Sequence, residues 1–238
     1  MCWSFSASII FTTIGLLASL YMIFKKDDKY LWIPLIYFSL MELLQVFTYL
    51  YINQCSLPAN QMLTYLGYLH IAFQPFFINM VALHFLPDHI RKKIVDYVYT
   101  ICFASTILLL IKVYPFAWAE TCKVGSVMCG AKLCSMSGSW HLSWTLPFSE
   151  LGSIFAYAYT IPAFILPLIY GSWRFTLYLF LFGPLLAMSV ARSPTEWPAV
   201  WCLFSIALLV LVFVPKIRKL FYVNKWYFWN YPKFKKRI

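Results

Sequence analysis

The chain has 238 residues, 62% of them hydrophobic, 21% aromatic and only 11% charged, and its mean hydropathy is +0.73. That balance excludes an ordinary soluble domain and a disordered chain, and reads as an integral, multi-pass membrane protein. The formal net charge of +11 does not argue for nucleic acid, because the cations sit in short loops and at the C-terminus, where they set topology and meet lipid.

The first apolar run ends at Phe24 and is followed by KKDDK. No positive charge precedes it, so it is expected to be a spanning helix with its N-terminus outside, not a cleaved signal peptide. The second span is expected from about Tyr30 to Ile52 and the third from Asn60 to Pro87, with DHIRKK following. A fourth runs from Ile94 to about Trp118 and leads into a polar loop of roughly thirty residues. The fifth is Glu150 to about Tyr170, the sixth Phe175 to about Ala191, and the seventh Trp197 to about Leu220. The expected fold is all-α, a seven-transmembrane-helix bundle with the N-terminus out and the C-terminus in. One domain covers residues 1–220, with a disulfide-rich outer loop over 119–148, and a basic, aromatic cytoplasmic tail covers 221–238. The charge bias supports this count: Lys25, Lys26, Lys29, Arg91, Lys92, Lys93, Arg174 and the tail share one side, against Lys123, Lys132 and Arg192 on the other. Pro75, Pro162, Pro167 and Pro184 lie inside spans, where each frees a backbone carbonyl that neighbours must satisfy.

Polar residues inside the spans mark the candidate site. On the third, His70, Gln74 and His84 share a helical face, and Asn79 points roughly the opposite way. On the second, Ser39, Glu42, Gln45 and Tyr49 share a face, and Glu42 is the acid in the middle of a span. At 1.5 Å per residue, Glu42 and His70 each lie about 15 Å below the outer ends of their helices, so they are expected to meet as a coupled pair. Polar groups continue on the fifth span (Glu150, Ser153, Tyr157, Thr160), the first (Ser4, Ser8, Thr12) and the seventh (Ser205), concentrated in the outer half. They predict an outward-facing pocket around Glu42, Gln45, His70, Gln74, Tyr157 and Glu150 that binds or moves a small solute, with or without coupled protons. The rival readings are a membrane-embedded enzyme using Glu42 and His70 as acid/base groups or metal ligands, with Glu150 and His141 as outer candidates, and a structural or partner-binding protein in which the polar groups are glue.

Cys55, Cys122, Cys129 and Cys134 fall in outer loops, which favours disulfides over a metal knot of Cys122, Cys129, Cys134 and His141, whose spacing lacks a close C-x-x-C pair. Their pairing does not follow from the sequence. WHLSW, Trp140 to Trp144, is expected as a short interfacial helix, acting as an aromatic anchor or as a lid over the bundle mouth. The tail interleaves aromatics with Lys and Arg, a pattern that fits the bilayer interface and anionic cytoplasmic lipids. The seventh span has no lysine in its middle, Lys216 lying about 28 Å below Trp197, which argues against a retinal Schiff base of the microbial-rhodopsin kind. The late histidine pairs of seven-helix zinc hydrolases are missing too, since no histidine follows His141.

Overall fold

A computed structural model describes residues 4–152, 157–202 and 204–230, without the side chains of 204–206, 212 and 230. Ser153, the side chain of Ser205 and the last eight residues therefore lie outside the described residues. The fold is mostly helical, and five of its helices are long and apolar enough to cross a membrane. Four come first: α1 (Phe5–Phe24), α2 (Lys29–Leu50), α3 (Pro58–His84) and α4 (Asp88–Lys112). The fifth, Trp173–Val190, joins α6 (Trp173–Phe180) to α7 (Leu186–Val190) through a π-helical turn at Leu181–Leu185.

Helix ends follow local chemistry. Ser4 caps α1 through its hydroxyl, and the Asp28 carboxylate caps α2 by accepting from the Tyr30 amide at 3.0 Å. α4 starts six residues earlier than expected, because Pro87 stops α3 and Asp88 then fills the first turn, where a carboxylate suits the helix dipole. Arg91, Lys92 and Lys93 thus ride on the helix instead of in a loop.

Two expected spans are not continuous helices. Between Glu150 and Tyr170 the described helix begins at the π turn Ile161–Ile165 and continues as α5 (Leu166–Tyr170). Pro162 has no N–H to give the Ala158 carbonyl, which the Ser105 hydroxyl bonds instead. From Trp197 onward there are three pieces, α8 (Trp197–Trp201), α9 (Phe204–Phe213) and α10 (Pro215–Leu220). Val214, before Pro215, leaves helical geometry at ψ 83°, as a residue preceding proline tends to do.

The segments between helices collect at two ends. At one, which we call the tail end, Arg218 pairs with Asp27 at 3.0 Å, the Val223 amide bonds the Phe85 carbonyl, and Arg174 reaches the Leu220 carbonyl. At the other, residues 113–152 fold over the bundle. The disulfide-bonded loop expected here holds a hairpin in place of the expected interfacial helix: Leu142–Thr145 of the WHLSW region is a strand, β2, antiparallel to β1 (Cys134–Ser137), with Leu142 and Trp144 fully buried. Two forces favour the strand. Asn53 and Asn60 satisfy the outer edge of β1 through Ser137 and Ser135, and the Cys55–Cys134 disulfide pins β1 to the α2–α3 loop. A second disulfide joins Cys122 to Cys129, which replaces the alternative of a metal knot with His141.

α1 packs on α2 through a stripe of small residues, Ser8, Thr12, Gly15, Ala18 and Ser19, the pattern that lets helices approach closely in lipid. A Cβ at Gly15 would lie 2.0 Å from Ser39 Oγ. Gly15→Ala is therefore expected to cost about 1–3 kcal/mol by overpacking. Adding Ser39→Ala should recover part of the loss. Thermal unfolding of the purified variants tests this, and an unchanged midpoint for Gly15→Ala would show that the crossing has slack.

Candidate functional site

The hairpin-end cap is tied down by one carboxylate. Glu196, just before α8, accepts from the Ser139 amide (2.9 Å) and hydroxyl (3.0 Å) and from the amides of Trp140 (2.8 Å) and His141 (3.1 Å). Burial pushes its pKa up, but these four donors together hold it below the ordinary carboxylate value. His141 is fully buried, and burial drives its imidazole down to about 3, so the ring is neutral. Its Nδ1 accepts from the Leu142 amide at 2.6 Å.

Glu42 and Gln45 are fully buried on the inner face of α2. The Gln45 amide lies within hydrogen-bonding reach of the Cys202 thiol, and the Tyr49 hydroxyl has no hydrogen-bond partner among the described residues. His70 takes a different place. Its ring stacks on Tyr37 at 3.8 Å between centroids, and it lines a shallow groove with Leu44, Leu66, Phe73 and Phe77. The four described ion pairs do not join Glu42 and His70. The Tyr37 ring, on which His70 rests, and Glu42 both lie near enough to the Cys202 thiol to act on it electrostatically.

Gln74 lines another cavity, a half-open cleft of about 790 Å³. Its walls are α3 (Tyr68, Ile71, Gln74), the end of α4 (Leu109, Lys112), Met128 and Phe148 of the cap, the segment Tyr159–Leu168, and one face each of α6, α7 and α8. The Tyr159 hydroxyl donates to Gln74 Oε1, which fixes both side chains midway along an otherwise apolar wall. The Trp201 indole N–H, also in this wall, has no partner among the described residues. At the hairpin end the Lys112 ammonium sits 4.9 Å from the centre of the Phe148 ring. Pro184 and the π turn around it widen α6–α7 here, as π-bulges do at sites. The chain belongs to DUF5765, a family of unknown function. The match runs over residues 6–222, which include every wall of the cleft. No curated protein and no solved structure matches the chain.

Of the other residues singled out in this DUF5765 sequence, Tyr157 and Glu150 are exposed and line neither cavity. Glu150 does not open a helix, since residues 151 and 152 are not helical. Asn79 acts as interhelical glue, donating to the carbonyls of Pro75 and Pro162 at 2.8 Å each and accepting from Tyr170. His84 joins a chain at the tail end, with Nδ1 2.7 Å from Asp28 and Nε2 2.7 Å from the Tyr222 hydroxyl. Among the described residues no three His, Cys, Asp or Glu side chains group as metal ligands. Sequence reasoning missed Tyr159, Trp201 and Glu196 altogether. One clue was available for Glu196: it is one of eight acidic residues and stands directly before a span.

Proposed function

We propose that this DUF5765 chain is a multi-pass membrane protein of seven spans that binds a small, largely apolar molecule in the cleft between α3, α4 and α6–α8. The hairpin end faces outside or the lumen and the tail end faces the cytoplasm. Support for the count comes from where the segments meet: the loops after α1, α3 and α5 and the segment after α10 gather at one end with most of the cations. On this reading the fifth and seventh crossings are broken helices, with Pro162 and Pro215 at the breaks. The aromatic, basic tail lies along the cytoplasmic leaflet and contacts anionic lipids.

The cleft is the observation that carries the ligand-binding reading. About 790 Å³ lies in the range of pre-formed small-molecule sites, and its apolar wall with a few fixed polar groups is the usual design of one. A polar solute at Glu42, Gln45 and Tyr49, moved or chemically changed there, is the second reading, favoured by the buried Tyr49 hydroxyl that lacks a hydrogen-bond partner among the described residues.

The test is occupancy. Thr160 and Met188 line the cleft at exposed positions, so Thr160→Trp and Met188→Trp fill it without crowding the core. Native mass spectrometry of protein extracted under mild conditions should find a co-purifying apolar molecule in the parent chain and lose most of it in both variants. Equal occupancy in all three would remove the cleft as the site. Loss of the molecule on Gln45→Leu instead would move the reading to the polar face of α2.

A further inference from the structure

The cleft is apolar along its length and charged at one end. Building on the reading above, that it takes a membrane-soluble ligand, we propose that its occupant is a single-chain amphiphile with a compact anionic head, the head at Lys112 and the chain running toward Trp173.

Length argues for a chain. The wall contributed by α6, the π turn and α7 runs from Trp173 to Met188, fifteen residues on, which at 1.5 Å per residue is about 22 Å. A lipid chain fills half of a hydrocarbon core about 30 Å thick, so one extended chain fits within this wall. Volume argues for one chain only, since about 790 Å³ suits a single drug-sized molecule and not a two-chain lipid.

Charge places the head. Lys112 is the one ionic side chain in the described wall, and its ammonium donates no hydrogen bond among the described residues. Glu150 is near enough to act on it electrostatically, yet the two form no described ion pair. A half-buried ammonium facing an apolar cleft, with no carboxylate in described ion-pair contact, can take the carboxylate or phosphate at the head of a chain through charge-assisted hydrogen bonds. Apolar rings line the rest: Phe164, Phe180 and Trp201 face the chain, and Gln74 and Tyr159 are already bonded to each other.

The experiment uses the full chain in phosphatidylcholine nanodiscs, with radiolabelled palmitate read by proximity scintillation and empty discs subtracted. Saturable palmitate binding is expected, displaced as well by hexadecyl phosphate and about tenfold or more less well by hexadecanol. Lys112→Met should weaken palmitate about ten- to a hundredfold and leave hexadecanol unchanged, while Lys112→Arg keeps the preference for the anion. The head-group comparison on the unaltered protein decides the matter even if Lys112→Met does not fold. Equal competition by palmitate and hexadecanol, or stronger competition by hexadecyltrimethylammonium, overturns the anionic head while the cleft remains a ligand site. No saturable binding by any probe, with occupancy also unaffected by Thr160→Trp, overturns both.

Discussion

Serine at Cys55 or Cys134 is expected to destabilise the protein more than serine at Cys122 or Cys129. The first disulfide joins residues 79 apart in sequence and the second residues 7 apart. In the chain-entropy account a crosslink removes more freedom from the unfolded chain the longer its loop, about 4 kcal/mol for the long one and roughly 2–3 for the short. The long bond has a second task. Cys134 begins β1, whose edge is held by Asn53 and Asn60, so losing the bond also loosens the hairpin that buries Trp144 and Leu142. Thermal unfolding of Cys55→Ser and Cys122→Ser, each against the oxidised parent protein, measures both. An equal or larger loss for Cys122→Ser would mean that loop length does not govern the effect here.

Much of the helical framework was legible from hydropathy, and α1 to α3 lie within a few residues of their expected bounds. What hydropathy could not supply was continuity. The apolar run from Trp197 reads as one span, but Pro215 forces Val214 out of helix and divides it, and a hydrophobicity pattern carries no trace of that. The cap was misread for a related reason. Trp140 and Trp144 stand four apart, which suggests one helical face, whereas Leu142–Thr145 is set as a strand by pairing with Cys134–Ser137, whose far edge is held by the distant Asn60. The candidate site was legible only residue by residue. Glu42 and Gln45 are buried as their position implied, and depth along a helix, which says nothing about azimuth, could not foretell that His70 stacks on Tyr37. The cleft drew only Gln74 from the expected set, because its wall is mostly aromatic and aliphatic and such residues look like ordinary packing in any apolar span.

Replacing Glu196 by glutamine is expected to loosen the hairpin-end cap and to change how the protein responds to acid. The carboxylate accepts four hydrogen bonds from residues 139–141, and a glutamine amide can offer its oxygen to some of these donors while its NH₂ group faces the rest. Leaving buried amides without an acceptor should cost about 3 kcal/mol. Gly138, whose Cβ would fall 2.3 Å from Glu196 Cδ, shows how closely the loop wraps the carboxylate and how little room a substitute has to turn. Acid acts on the cap through two groups, an imidazole held neutral and a carboxylate held ionised in the fold. His141 ordinarily titrates near 6.5 but is held neutral down to about 3, so below 6.5 the unfolded chain takes up a proton that the folded one refuses, and stability falls as pH drops. Glu196 has a folded value below its ordinary 4.5, so its contribution is present above 4.5 and is lost as pH falls through that lower value. The parent protein should therefore weaken in two stages on acidification, the first from about pH 6.5 and the second below 4.5. Glu196→Gln starts from a lower midpoint and keeps the first stage while the second shrinks to what other carboxylates such as Asp27, also held below its ordinary value, contribute. Unfolding midpoints measured between neutral pH and the onset of irreversible acid loss decide it: a Glu196→Gln profile parallel to the parent's throughout would show that this carboxylate does not hold the cap.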